Sequence, residues 1–131
     1  MYLVDTNVWL ERLLDQERSD EVAALFRRFD SSLFALTDFS FHSICVIMSR
    51  LQRNSDLLLF IQDLFIKCQT EMISLDPKEI AEMLQIMDAF TLDFDDAYQY
   101  QAAEKYNLLL VSFDSDFDRT ERGRFTPAQI V

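Results

Sequence analysis

The sequence predicts an α/β fold in three layers, α/β/α, with a central, mainly parallel sheet and helices on both faces. Short apolar runs alternate with longer segments whose apolar residues recur at helical spacing, a pattern typical of strands joined by helical crossovers. The chain has only one glycine and two prolines, which argues against a hairpin-rich β fold and against disorder. Half of its 131 residues are hydrophobic, so we expect one domain over residues 1–131.

The first half of the chain contains two predicted strands, each followed by helices. An uninterrupted apolar run opens the chain and stops at Asp5, as expected of a strand buried on both faces. Ser19 stands where it can cap a helix. The predicted elements are a strand at Tyr2–Val4, helices at Val8–Leu14 and Asp20–Phe29, a strand at Leu33–Leu36, and helices from Thr37–Ser40 to Gln52 and from Asp56 to Lys67.

The second half repeats this alternation. Asp76, Pro77 and Glu79 give three agreeing helix-start signals, namely a cap, a proline in the first turn and an acid at the capping-box position. The predicted elements are a strand at Met72–Leu75, helices at Asp76–Phe90 and Asp93–Tyr106, a strand at Leu108–Val111, and an edge strand at Ala128–Val131.

Composition indicates where in the cell the protein is located and which kinds of partner it can bind. A net charge of −11 opposes nucleic-acid binding when taken alone, and it fits a solvated surface, a basic partner or acids gathered around a cation. No apolar run reaches the roughly 18 residues that cross a bilayer, and no signal peptide is evident, so we expect a cytoplasmic protein without membrane contact. Cys45 and Cys68 lie among apolar residues and are expected to be buried thiols rather than a disulfide.

Acidic residues stand at three related positions in the predicted fold. Asp5 follows the first strand, Asp114 and Asp116 follow Leu108–Val111, and Asp96 lies in the first turn of the preceding helix. If the two strands are central and parallel, their carboxyl ends lie close together, at the edge where ligands bind in open α/β sheets. Such carboxylates repel one another unless a cation neutralises them. Mg²⁺ and Mn²⁺ prefer oxygen ligands and assist phosphodiester hydrolysis.

These residues also have purely structural interpretations. Asp5 and Asp93 can each cap the helix that follows, and Asp116 can serve only to solubilise a loop. His42, the only histidine, lies among apolar residues, and we expect a structural role because a lone histidine lacks the partners of a catalytic triad. The only glycine is Gly123, so there is no phosphate-binding loop. The helix at Asp56–Lys67 is apolar nearly all round, which predicts burial between neighbours or at an oligomer interface.

Three segments together resemble the PIN-domain family, which includes the VapC-type toxins of bacterial toxin–antitoxin pairs. They are V-D-T-N-V-W-L at Val4–Leu10, L-D-F-D-D-A at Leu92–Ala97 and L-V-S-F-D-S-D-F at Leu110–Phe117. The resemblance covers the whole chain in length, motif order and order of elements. It implies a metal-dependent ribonuclease that uses Mg²⁺ or Mn²⁺, cleaves RNA, forms a homodimer and is silenced by a small antitoxin protein.

The same resemblance implies roles for individual residues. Asp5 matches the first acid of the family, Asp96 the third and Asp114 the fourth, with Asp116 assisting as a further metal ligand. Small polar residues at two positions, Asn7 and Ser112, match those that support the acids.

The chain departs from the family at the second acid, usually a glutamate, where Ser43 stands. Asp38 lies about 140° away around a helix and would not simply replace it. A serine brings no charge, so metal affinity should fall. Two hypotheses follow: a toxin-type ribonuclease, or a PIN-like module that binds RNA or a protein without cleaving. The second draws on the basic residues near the acids, Arg119, Arg122 and Arg124.

Overall fold

The computed structural model describes all 131 residues and confirms the three-layer α/β fold. Its sheet has four strands in the order β3–β2–β1–β4, and every neighbouring pair is parallel. The opening strand is therefore an interior strand, as predicted. All four of the strands predicted up to Val111 are present, with ends shifted by at most two residues: β1 (Tyr2–Val4), β2 (Phe34–Thr37), β3 (Glu71–Ile73) and β4 (Leu109–Val111).

Seven α-helices surround the sheet, and the first six follow the predicted order. A π-helical turn at Gln62–Lys67 continues the fourth helix, and 3-10 turns lie at Ser31–Leu33 and Ser115–Arg119. The helices are α1 (Thr6–Leu13), α2 (Ser19–Arg28), α3 (Asp38–Arg50), α4 (Asn54–Ile61), α5 (Pro77–Phe90), α6 (Phe94–Tyr106) and α7 (Pro127–Ile130).

Successive strand residues point to opposite faces of the sheet, and this alternation builds two separate apolar cores. Leu3 and Leu110 belong to the core that includes residues of α5 and α6, whereas Val4 and Val111 belong to the core formed with α1 to α4. All four residues are buried. Because both faces are covered, the strands can be apolar throughout, which explains the short uninterrupted runs in the sequence.

The pairing of β1 with β4 fixes where the two strands end. Leu3 pairs with Leu110 and Val4 with Val111, and the Asp5 N–H then donates to the Val111 carbonyl at 2.9 Å. The residues that follow the two strands therefore leave the sheet side by side. This register places the first and last acidic motifs next to each other.

The prediction of an edge strand at Ala128–Val131 is wrong, because this segment lies in helix α7. Pro127 has no N–H for a strand ladder, and its fixed φ suits the first turn of a helix. The Thr126 N–H also donates to the Gln129 side-chain oxygen at 2.8 Å, which closes the start of the helix. The tail meets the sheet instead through a single parallel bridge between Phe125 and Val111.

Other predictions outside the acidic motifs have mixed outcomes. Cys45 and Cys68 are free thiols as expected, but both are half-buried rather than buried. His42 is exposed on α3 rather than packed among apolar side chains. None of the helices combines the length and apolar character needed to cross a membrane. The apolar helix and its π-helical turn leave several large side chains exposed: Leu58 at 55%, Leu59 at 56% and Ile66 at 74%. An oligomer interface there stays a prediction.

Candidate metal centre

An acidic cleft of about 280 Å³ lies at the edge of the sheet where β1 and β4 end. Asp5 follows β1 and caps α1, Asp96 lies in the first turn of α6, and Asp114 follows β4. The structure thus brings these three predicted acids to the wall of one cleft. The rest of its lining is Thr6, Asn7, Leu10, Phe39, Ser43, Ile47, Asp95 and Gln99.

Asp5 is only 6% exposed, and the donors around it are neutral. Its Oδ1 accepts from the Thr6 N–H and from the Gln99 side-chain amide, each at 2.8 Å. Its Oδ2 accepts from the Ser112 hydroxyl at 2.7 Å. Burial raises the pKa of Asp5, while the hydrogen bonds from Gln99, Ser112 and Thr6 oppose the rise because they stabilise the carboxylate. Asp5 therefore caps a helix and faces the cleft at once.

Gln99 is a member of this site that the sequence analysis missed. It is 2% exposed on α6, and its Nε2 donates to the Ser40 hydroxyl at 2.7 Å as well as to Asp5. Its Oε1 accepts from the Thr37 hydroxyl at 2.7 Å. Because both ends of the amide have partners, only one orientation satisfies them, with the donor end toward Asp5. The available signal was a glutamine between two tyrosines, Tyr98 and Tyr100, in the middle of a predicted helix.

The rim of the cleft carries a tight acidic group formed by Asp96, Asp114 and Asp116, with one carboxylate oxygen from each lying within 4.8 Å of the others. Asp5 is not in this group, although its charge acts on Asp96. Burial, followed by the charges of Asp114, Asp93 and Asp5, raises the pKa of Asp96 to about 8. The metal-free protein therefore favours binding a proton within this acidic group.

Asp5 and Gln99 form the inner wall of the cleft, and Ser112 and Asn7 connect this inner wall to the rim. The Ser112 hydroxyl donates to Asp5 and accepts from the Asp114 N–H at 3.0 Å. The Asn7 amide donates to the Ser112 hydroxyl at 3.3 Å, and its carbonyl oxygen accepts from the Phe113 N–H at 3.2 Å. Ser112 thus contacts two of the acids directly, and Asn7 holds the loop that carries Asp114.

The remaining predicted positions divide between the cleft and its surroundings. Asp93 caps α6, since its Oδ1 accepts from the Asp96 N–H at 2.9 Å, and it lies outside the cleft lining. Ser43 lines the cleft without adding charge, and Asp38 does not line it. Asp95 does line it and was not predicted. The α3 side of the cleft therefore carries no acid.

The arginines after β4, on which the hypothesis of a non-cleaving module draws, already make contacts within the protein. Arg119 pairs with Asp116 at 3.0 Å, and Arg124 pairs with Asp118 at 3.2 Å. Arg119, Arg122 and Arg124 also donate to backbone carbonyl oxygens at 2.6 to 3.1 Å. These contacts tie the C-terminal tail to the sheet and to the end of α5.

Comparisons with known proteins agree with this architecture. A sequence model described as the PIN domain matches residues 2–123. No curated protein matches the chain. A chain from a toxin–antitoxin complex of Klebsiella pneumoniae is 19% identical with a TM-score of 0.77, over 97% of this chain and 98% of that chain.

Two further solved structures give similar values. FitAcB from Neisseria gonorrhoeae is 19% identical with a TM-score of 0.74, over 97% of this chain and 98% of that chain. VapC20 from Mycobacterium tuberculosis, described as a toxin that cleaves the sarcin–ricin loop, is 13% identical with a TM-score of 0.75, over 90% and 93%. At such identities the likeness shows a shared fold.

Proposed function

The chain belongs to the PIN-domain family, and from that premise we propose that it is a metal-dependent ribonuclease of the toxin type. The observation that carries the proposal is the convergence of Asp5, Asp96 and Asp114 on one cleft, although they are far apart in sequence. The carboxylate oxygens of Asp96, Asp114 and Asp116 within 4.8 Å of one another support it.

The residues of the rim fit a hard divalent cation such as Mg²⁺ or Mn²⁺. The candidate ligands are all carboxylate oxygens, which these ions prefer. The pKa of Asp96 is raised to about 8 partly because Asp114 and Asp5 are close, and a cation would remove that repulsion. Asp96 and Asp114 would hold the ion, with Asp116 or Asp5 as a further ligand.

When bound, the cation would supply positive charge to the scissile phosphodiester and to the attacking water. The chain's own residues prepare the site. The three neutral donors to Asp5 hold its carboxylate in one orientation. Ser112 holds the backbone of Asp114, and Asp96 must release its proton when the ion binds, so binding should release protons to the buffer.

The proposal includes two partners besides RNA. The neighbour from Klebsiella pneumoniae comes from a toxin–antitoxin complex, which supports a small antitoxin protein as a partner of this chain. The exposed apolar side chains of α4 and its π-helical turn support a homodimer, since large apolar groups in contact with water favour association. Light scattering on the purified chain, alone and with the antitoxin, tests both.

The test of the proposed activity is cleavage of RNA by the purified protein with Mn²⁺. Asp5→Asn should abolish cleavage, because it removes a negative charge from the cleft and changes almost nothing in size. Asp63→Asn, at an exposed acid of the π-helical turn, is the matched control and should cleave like the parent protein. Equal cleavage by the parent and by Asp5→Asn would identify the activity as a contaminant.

A second candidate function is a PIN-like module that binds RNA or a protein without cleaving it. The observation that favours it is Ser43, which lines the cleft without charge where the family has an acid. In this case the parent retains RNA without turnover, and binding weakens with salt. Cleavage gained in Ser43→Glu would support a lost ligand, whereas RNA binding without cleavage in both proteins would support the module.

A further inference from the structure

Arg18 and Phe113 form a cation–π pair beside the acidic cleft. The guanidinium carbon of Arg18 lies 4.9 Å from the centre of the Phe113 ring. Arg18 is exposed, and its guanidinium makes no ion pair or hydrogen bond within the protein, unlike the guanidinium groups of the tail. Phe113 directly precedes Asp114, and the hydrogen bond from its N–H to Asn7 holds its backbone beside the candidate metal ligands.

This pair lines a second cleft of about 370 Å³, here called the Arg18–Phe113 cleft. The cleft shares Asn7 and Leu10 with the acidic cleft, so the two adjoin. Its size is in the range of sites that take small molecules. Glu11 and Glu17 also line it, and their negative charges disfavour a phosphate there while leaving an uncharged ring free to enter.

We propose that the Arg18–Phe113 cleft binds one unpaired nucleobase of the RNA, adjacent to the phosphate that lies at the acids. The inference rests on the proposed ribonuclease function. Nucleobases stack on aromatic rings and on guanidinium planes regardless of their identity, because each base has a π face. The guanidinium of Arg18 has no ion pair or hydrogen bond to give up, so the side chain can move aside and let a base stack on the Phe113 ring in its place. The cleft therefore selects single-stranded RNA over a duplex, in which neighbouring bases cover both faces.

The experiment measures binding of a single-stranded RNA of about 12 nucleotides by fluorescence anisotropy. Asp96→Asn is the background in all proteins, so that the RNA stays intact. Phe113→Leu, which removes the ring, should weaken binding about tenfold, and Phe113→Tyr, which keeps it, should retain the affinity. A series of RNAs, each lacking one base, locates the contact. One such RNA should bind about tenfold more weakly to protein with Phe113 and no more weakly to Phe113→Leu.

The outcomes separate this inference from the function on which it rests. Equal affinity of Phe113→Leu and its background, in a protein whose parent cleaves RNA, overturns the nucleobase cleft and leaves the ribonuclease standing. A loss in Phe113→Leu that no missing base reproduces also overturns it, because Phe113 then only packs the loop. If the parent neither binds nor cleaves RNA with Mn²⁺, the proposed function fails and takes the inference with it.

Discussion

Asp5 and Asp96 are buried carboxylates on the same cleft, 6% and 9% exposed, yet their surroundings are opposite. Asp5 accepts hydrogen bonds from three neutral donors, which oppose the rise in its pKa caused by burial. Asp96 faces Asp114 and other acids, and its pKa is raised to about 8. The protein's own donors therefore surround the carboxylate of Asp5 in the inner wall, whereas the carboxylates of the rim repel one another and would need the proposed cation to neutralise them.

The largest expected effect lies at the inner wall. Gln99→Met keeps the size of the side chain but removes the donor to Asp5 and Ser40 and the acceptor for Thr37. Leaving these buried groups without partners should lower the free energy of unfolding by about 2–3 kcal/mol, measured by urea denaturation without metal. If the loss is below about 0.5 kcal/mol, the inner wall does not depend on the protein's own donors, and the comparison fails.

At the rim, removing an acid should stabilise the metal-free protein. Asp96→Asn relieves the repulsion from Asp114 and Asp5. Because solvent in the cleft screens these charges, the unfolding free energy should rise only by about 1 kcal/mol at about pH 9. This corresponds to a rise of a few degrees in Tm, measured by calorimetry. The same variant should lose the increase in Tm that Mn²⁺ gives the parent. A lower Tm in the metal-free variant would contradict the assignment of the rim as strained.

The pH dependence of stability sharpens the same contrast. The pKa of Asp96 is about 8 in the folded protein and near 3.8 when unperturbed, so between these values the folded state binds the extra proton. Its contribution to stability is therefore present at low pH and is lost as the pH rises through about 8. We expect the unfolding free energy of the parent to fall relative to that of Asp96→Asn as the pH rises over this window. Parallel stability curves for the two proteins would refute this.

The smallest effect on stability is expected at an acid that lies in neither the inner wall nor the rim. Asp63 pairs with Lys67 at 3.3 Å on an exposed face of the π-helical turn. Asp63→Asn should change the unfolding free energy by less than about 0.5 kcal/mol and leave the Mn²⁺-dependent rise in Tm unchanged. A response as large as that of Asp96→Asn would show that any loss of negative charge from this acidic chain has the same consequence.

The sequence was sufficient for the features that depend on local pattern. The apolar run before Asp5 and the one before Asp114 predicted both strands and the edge where they end. Gln99 could not be predicted, because its partners Ser40, Thr37 and Asp5 lie 59, 62 and 94 residues away and only the fold brings them together. The tail differs from its prediction for a local reason. Its apolar residues alone indicate a strand, but Pro127 favours the start of a helix.

The pairing of the first strand with the last has a consequence for the timing of assembly. Asp5 and the hydroxyl of Ser112 that fixes it are 107 residues apart, and the whole segment between them must be synthesised before they can meet. Contacts between such distant segments form late, because the loop between them must close first. A nascent chain from which Ser112 has not yet emerged has the first carboxylate but no cleft, so whatever chemistry the cleft performs cannot begin before that segment has been made and has paired with the first strand.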